Sequence, residues 1–270
     1  MNAVERITAD ARARGETLAQ ALRHHLLTGL AVRVATVAGD AFVLRGGLAT
    51  RAWIEGRARR PTKDLDCVGD FPFDVEDTAR RFRPALEVGA DVVDDGVRFD
   101  PARFAARGIW LDSAFPGVRI TVTAGVNAVD QELTVDVGFH DPLVPPATTL
   151  VLGGTAVRAV RPETQVAWKL HGLAEMTASW RPKDLADLWL ITRHVALVED
   201  DLVPAIDAAF ASRGFTREQA RRTLAEPMWA TKTARLRWEP YRTTLPELAQ
   251  VVAEVRAHLD PALARLMKEP

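Results

Sequence analysis

The chain has 270 residues, 47% of them hydrophobic and 26% charged, the balance of a soluble globular protein with room for one large domain or two small ones. Its formal net charge of −1 excludes a protein drawn to nucleic acid or a membrane by bulk charge alone. No run of 18 apolar residues occurs and the opening MNAVERITADARARGE has no basic-then-apolar leader pattern, so no membrane span is expected and a cytoplasmic location is. Cys67 is the only cysteine, which excludes an internal disulfide, and the six histidines fall in no zinc-ligand spacing.

In chain order, residues 1–28 have few breakers and read as helix. Residues 41–45 (AFVLR) form a short apolar run that ends in Gly46-Gly47, and residues 48–55 read as a second helix. A basic, Pro-containing loop covers 56–63. LDCV is a short strand, and 74–88 is amphipathic with Asp74 as its N-cap. Alternation marks strands at 119–124, 132–139 and 150–160. After Pro162 the period changes, and 163–176, 182–195, 199–212, 216–225 and 245–267 all read as helices. The expectation is an α/β (α+β) N-terminal lobe with a mixed sheet over 1–161 and an all-helical C-terminal lobe over 162–270. There is no internal repeat.

Charge is uneven along this frame. From Arg45 to Lys63 six basic residues face one acid, and from Arg213 to Arg242 eight face three. Thirty of the basic residues are Arg and only five are Lys, at 63, 169, 183, 232 and 268.

Three segments carry chemistry. RGGLATRAW runs from a strand through two glycines into a helix, where backbone N–H groups can approach a phosphate; alone, it fits a tight strand–helix turn equally. In TKDLDCV the strand period of two sets Asp64 and Asp66 on one face and Leu65 and Cys67 on the other. Two such carboxylates repel unless a cation lies between them, and Mg²⁺ bound by carboxylates and phosphate oxygens answers that need; a solvated strand end is the plain alternative. In ELTVDVGF, Leu133, Val135 and Val137 alternate with Thr134, Asp136 and Gly138, so that Asp136 is a charge in the middle of an apolar strand; an edge strand with one solvated face is the plain alternative. The order Gly-Gly turn, Asp-x-Asp, single Asp is the set that two-metal phosphoryl transfer requires.

FVLRGGLATRAW, RRPTKDLDCV, LTVDVGFHDPL, VAWKLHGL and RPKDLADLWLI, in this order over roughly 40–195, resemble the AbiEii/AbiGii toxin family of nucleotidyltransferases, which includes the mycobacterial MenT toxins and belongs to the DNA polymerase β-like superfamily. Where many members have an aromatic after Asp-x-Asp, this chain has Cys67. The resemblance implies Mg²⁺ held by Asp64, Asp66 and Asp136, with an NTP as substrate. It implies nucleotide binding by Gly46, Gly47, Arg51, Thr62, Lys63 and Lys169, and catalytic parts for Lys169 and Asp184. It also implies a toxin of a type IV (AbiE-like) toxin–antitoxin system, opposed by a cognate antitoxin of the kinase or DNA-binding type. Thr62, two residues before Asp64, is then a candidate for inhibitory phosphorylation. Transfer of a nucleoside monophosphate to an RNA 3′ end, tRNA above all, is the favoured activity, with translation blocked as a result.

In the basic C-terminal stretch, Arg217, Arg221, Arg222, Lys232 and Arg235 alternate with Trp229, Trp238 and Tyr241. That mixture suits an RNA backbone with stacked bases; a solvated helix face over core tryptophans fits it as well. The rival functions are the same transfer onto a protein or small molecule, and a catalytically silent nucleotide- or RNA-binding regulator.

Overall fold

A computed structural model describes residues 3–54, 62–176 and 179–268. Close packing divides the chain into two units. The first holds the chain up to Ala52, Arg59–Asp141 and Ala147–Val160; the second holds Trp53–Ala58, Pro142–Pro146 and Arg161–Pro270.

The first unit opens with helices α1 (Ala3–Arg14) and α2 (Leu18–Ala38). Gly15 breaks them apart at φ +60, and Thr17 and Gln20 form a capping box that restarts the helix. The 1–28 stretch is therefore two helices, and the second runs ten residues further than expected. Strand β1 (Phe42–Arg45) passes directly into α3 (Gly46–Trp53). Then come β2 (Leu65–Gly69), α4 (Val75–Phe82), β3 (Val97–Ile109), β4 (Gly117–Val126), β5 (Val129–Gly138), β6 (Thr148–Leu152) and β7 (Thr155–Ala159). All seven strands make one mixed sheet in the order β3-β4-β5-β2-β1-β7-β6. The β2–β5 and β1–β7 pairs are parallel and the other pairs antiparallel.

Two features of this sheet differ from the expectation. The stretch 150–160 is a hairpin, because Gly153 and Gly154 adopt φ +55 and +80 and fold the chain back. β3 has no counterpart among the expected strands. It is an edge strand whose register shifts between Asp100 and Phe104, around Pro101, the kind of place where proline is tolerated in a sheet.

One face of β4 and β5 is apolar: Val118, Ile120, Val122, Leu133, Val135 and Val137 are fully buried. Helix α2 is anchored over the same unit by Arg33, whose guanidinium donates to both oxygens of Asp95 at 2.7 and 2.9 Å and to the carbonyls of Val93 and Val97. Between those apolar residues, on the other face, stand Arg119, Thr121, Thr134 and Asp136.

The second unit is helical over Arg161–Pro270 among the described residues: α5 (Pro162–Glu175), α6 (Pro182–His194), α7 (Glu199–Ala211), α8 (Arg217–Arg222), α9 (Lys232–Trp238) and α10 (Leu248–Leu266), with short 3₁₀ turns between α8 and α10. Its core includes Leu170, Leu188, Ile206, Phe210, Trp229, Trp238, Val255 and Leu259. No described helix is long and apolar enough to cross a membrane.

Candidate active site

The site is built on one transverse row of the first unit's sheet. Register pairs Arg107 with Arg119, Arg119 with Asp136, Asp136 with Asp66, and Asp66 with Arg45. Residues directly opposite across strands share a face. Five charged side chains from five adjacent strands thus form a single row, with two carboxylates in the middle and guanidiniums on either side. Asp64 lies just before β2 begins, two residues from Asp66, and completes an acidic group. One oxygen from each of Asp64, Asp66 and Asp136 lies within 4.8 Å of the others.

Three carboxylates at this separation are costly unless positive charge is close. Arg119 supplies some of it: Nε and Nη2 donate to the two oxygens of Asp136, each at 2.7 Å. That bonding raises the Arg119 pKa; partial burial opposes the rise, and the charges of Asp136, Asp64 and Asp66 add to it. Arg45 supplies more. Burial alone would lower its pKa, but Asp141, whose carboxylate accepts a hydrogen bond from Nη1 at 2.7 Å, and the nearby Asp66 outweigh burial and raise it. Hard oxygen donors converging from three carboxylates are the ligand set that Mg²⁺ takes, so these residues fit the ion that nucleotidyltransferases commonly use.

The Gly-Gly turn meets the acidic group directly. Gly46 has φ +74, and a Cβ on it would lie 2.8 Å from Asp66 Cβ. A side chain there would collide with the carboxylate residue itself, so glycine is dictated by both conformation and space. Cys67 points to the opposite, buried face; burial first and Asp66 second push its thiol up to about 12, which makes it a packing residue and not a nucleophile.

The remaining expected residues fall as follows. Arg51 is buried on α3 and paired with Glu16 at 2.6 Å. Thr62 is buried, and its hydroxyl donates to the carbonyl of Asp64 at 3.4 Å; a kinase would reach it only after this segment opens. Lys63 has an exposed side chain. Arg57, Arg59 and Arg60 of the basic loop lie outside the described residues.

Lys169 and Asp184 belong to the second unit. Lys169 Nζ lies 2.7 Å from Asp184 Oδ1 and 3.0 Å from Asp187 Oδ2, and Arg181 Nε lies 2.7 Å from Asp184 Oδ2. Burial would raise the Asp184 pKa, but Lys169 and Arg181 reverse this and hold its carboxyl below the usual range. Asp187, one turn after Asp184, is fully buried and is not part of a surface. Lys169 is likewise no ordinary surface lysine, since its side chain is only 14% exposed.

The C-terminal basic stretch is largely occupied with itself. Arg217 forms a fork on Asp207, Arg221 and Arg222 share Glu218, and Arg235 donates to the carbonyl of Ala230. Lys232 is exposed. Trp229 and Trp238 are buried core residues whose indole N–H groups donate to the carbonyls of Thr223 and Pro246. They are not open stacking platforms.

Sequence reasoning missed Arg119, Arg45 and Asp141. Arg119 was within reach. A two-residue turn at Asn127 and Ala128, with Val126 paired to Val129, fixes Arg119 opposite Asp136 by counting back along both strands. The turn lacks glycine and so carries no strong hairpin signal.

The fold is similar to that of solved proteins. A chain from H. pylori provisionally described as a nucleotidyltransferase matches over 91% of this chain and 95% of its own, at 15% identity and a TM-score of 0.51. JHP933 from Helicobacter pylori matches over 91% and 92%, again at 15% identity and a TM-score of 0.51. No curated protein sequence matches significantly. The family model described as nucleotidyl transferase AbiEii toxin, type IV TA system, matches residues 30–264. That span takes in the Gly-Gly turn, all three carboxylates, Lys169 and Asp184, and the chain therefore belongs to the AbiEii family of nucleotidyltransferase toxins.

Proposed function

We propose that this protein transfers a nucleoside monophosphate from an NTP to an RNA 3′ end, tRNA being the favoured acceptor, and releases pyrophosphate. The observation that carries this reading is the convergence of Asp64, Asp66 and Asp136 beside the Gly46 turn. The three carboxylates would hold Mg²⁺, which when bound lowers the pKa of an attacking hydroxyl and stabilises charge on the transferred phosphoryl group and on the leaving pyrophosphate. Gly46 and Gly47 leave room at the first turn of α3, where backbone N–H groups and helix polarity favour phosphate. Arg51, paired with Glu16, is proposed to contribute to the nucleotide site from α3. Lys63 and Lys169 are proposed to bind the triphosphate and Asp184 to keep Lys169 extended and charged. Thr62 is proposed as the site at which a kinase-type antitoxin silences the toxin, since a phosphate there would add roughly −1.5 to −2 charges next to Asp64. The RNA body is proposed to lie along Arg217, Arg221, Arg222, Lys232 and Arg235, and charging of the modified tRNA would then fail and translation stop.

The test is incubation with each labelled NTP, Mg²⁺ and total RNA, resolved on a gel beside an Asp66→Ala control. Label in a tRNA-sized band with wild type alone supports the reading. Label in a protein band instead would move the acceptor to a protein hydroxyl. Absence of any transferred label with all four NTPs would overturn the assignment. Asp66→Ala should keep its melting temperature within a few degrees, because removing one of three crowded carboxylates relieves repulsion.

A further inference from the structure

The transverse row does not stop at the carboxylates. Beyond Asp136 it continues through Arg119 on β4 to Arg107 on β3, on the same face. Arg107 is exposed, and Arg119 is gripped to both oxygens of Asp136. A fork of this kind occupies one lone-pair direction on each carboxylate oxygen and compensates its charge. A metal bond from Asp136 must draw on the same oxygens and the same charge. The fork and the metal therefore compete for Asp136.

The sheet order gives the two arginines a side of their own. The Gly46-Gly47 turn follows β1, while Arg119 and Arg107 stand on β4 and β3, with β2 and β5 and their carboxylates in between. A transfer between two phosphate-bearing substrates needs an anion seat on each side of the reacting centre. Adjacent strands lie roughly 4.8 Å apart, so Arg119 and Arg107 form a short cationic track that leads away from the carboxylates. Thr121 and Thr134, opposite each other one pleat along, put hydroxyls beside it.

We propose that Arg119 is the resident counter-cation of the carboxylate group, that a divalent ion displaces it, and that the displaced guanidinium, together with Arg107, takes a phosphate of the acceptor RNA. The inference rests on Asp64, Asp66 and Asp136 being metal ligands, as read above. It makes acceptor binding depend on metal: until the ion arrives, Arg119 is engaged and the track is half closed.

Two measurements on the full chain test it. The first is Mn²⁺ binding to substrate-free protein by electron paramagnetic resonance. Arg119→Ala should bind Mn²⁺ about tenfold more tightly than wild type, since two charge-assisted hydrogen bonds no longer oppose the ion, and Arg119→Lys should lie between them. Asp136→Ala should lose most of the binding. The second is binding of a fluorescent RNA oligonucleotide with and without Mn²⁺. Mn²⁺ should strengthen it in wild type, and Arg119→Ala should lose that metal-dependent strengthening. Arg107→Ala should weaken RNA at every Mn²⁺ concentration, and NTP binding at saturating Mn²⁺ should be unchanged in both variants. The Arg119 side chain is 35% exposed, so its removal should leave the fold intact, which a melting curve checks. Equal Mn²⁺ constants for wild type and Arg119→Ala would overturn the exchange and leave the metal site standing. Absence of Mn²⁺ binding in both would overturn the metal reading and the exchange with it. Weakened NTP binding with RNA binding intact would assign the arginines to the donor and overturn the acceptor seat.

Discussion

At residue scale the site depends on Gly46 as much as on its carboxylates. Its φ of +74 belongs to the left-handed region, and the space its Cβ would fill is taken by Asp66. Gly46→Ala should therefore destabilise by about 1–3 kcal/mol from backbone strain and also push Asp66 out of line. Transfer should fall far more than the lost stability accounts for. Urea unfolding and labelling on the same preparation would check this; a variant as stable and as active as wild type would mean that Gly46 is replaceable. This constraint was half legible in the sequence. A Gly-Gly pair after an apolar run announces a tight turn, and Asp-x-Asp announces two carboxylates on one face. That the first glycine touches the second aspartate is a fact of β1–β2 pairing, which local patterns do not carry. The same holds for Arg45 and Asp141, which are 96 residues apart and meet at 2.7 Å.

At the scale of elements, α5 and α6 are joined by a buried charge cluster of Lys169, Asp184 and Asp187, with Arg181 at its edge. Both helices were legible from their apolar period, and Pro162 and Pro182 mark their first turns. The cluster was not, because Lys169 and Asp184 also suit a surface helix and a helix N-terminus. Removing the lysine would take the shared positive charge from two buried carboxylates and leave Asp184 to the weaker compensation of Arg181 and Lys183. Lys169→Met should cost about 3–5 kcal/mol. Asp184→Asn, which leaves Asp187 to hold the lysine, should cost less, about 1–3 kcal/mol. The pH dependence separates charge from packing. The folded pKa of Asp184 lies below its ordinary value of 3.8, so the stability it contributes is present above that value and is lost as pH falls towards the folded one. In Lys169→Met the buried Asp184, no longer held by the lysine, can protonate, and the gap to wild type should narrow as pH falls into and through the ordinary carboxylate range. A gap that stays constant with pH would mean that lost packing, not unpaired charge, is the cause. A dead Lys169 variant thus reports on phosphate binding only if it is shown to be folded.

Over the whole molecule, a net charge of −1 is distributed through ion pairs, and this bears on how RNA could be held. The C-terminal stretch reads as a cationic strip in the sequence, but Asp207, Glu218, Glu239 and Glu247 hold Arg217, Arg221, Arg222 and Arg242. Glu218 matters most, since it accepts from both Arg221 and Arg222 on α8 and its carboxyl is pulled down to about 2 by those two bonds. All three side chains lie towards solvent, so the pairs themselves add little stability. Glu218→Gln should leave the melting temperature nearly unchanged while releasing two guanidiniums. If RNA lies along this stretch, the variant should bind it more tightly at low salt. The plot of log affinity against log salt should steepen by about 0.7–0.9 for each further phosphate that the freed guanidiniums neutralise. NTP binding should not move, because no phosphate of a mononucleotide need reach α8. Fluorescence anisotropy with a labelled tRNA over a salt series would decide it. Unchanged affinity and slope would remove Arg221 and Arg222 from the RNA path and shift RNA recognition to Arg217, Lys232 and Arg235 or to the Arg107–Arg119 track of the sheet.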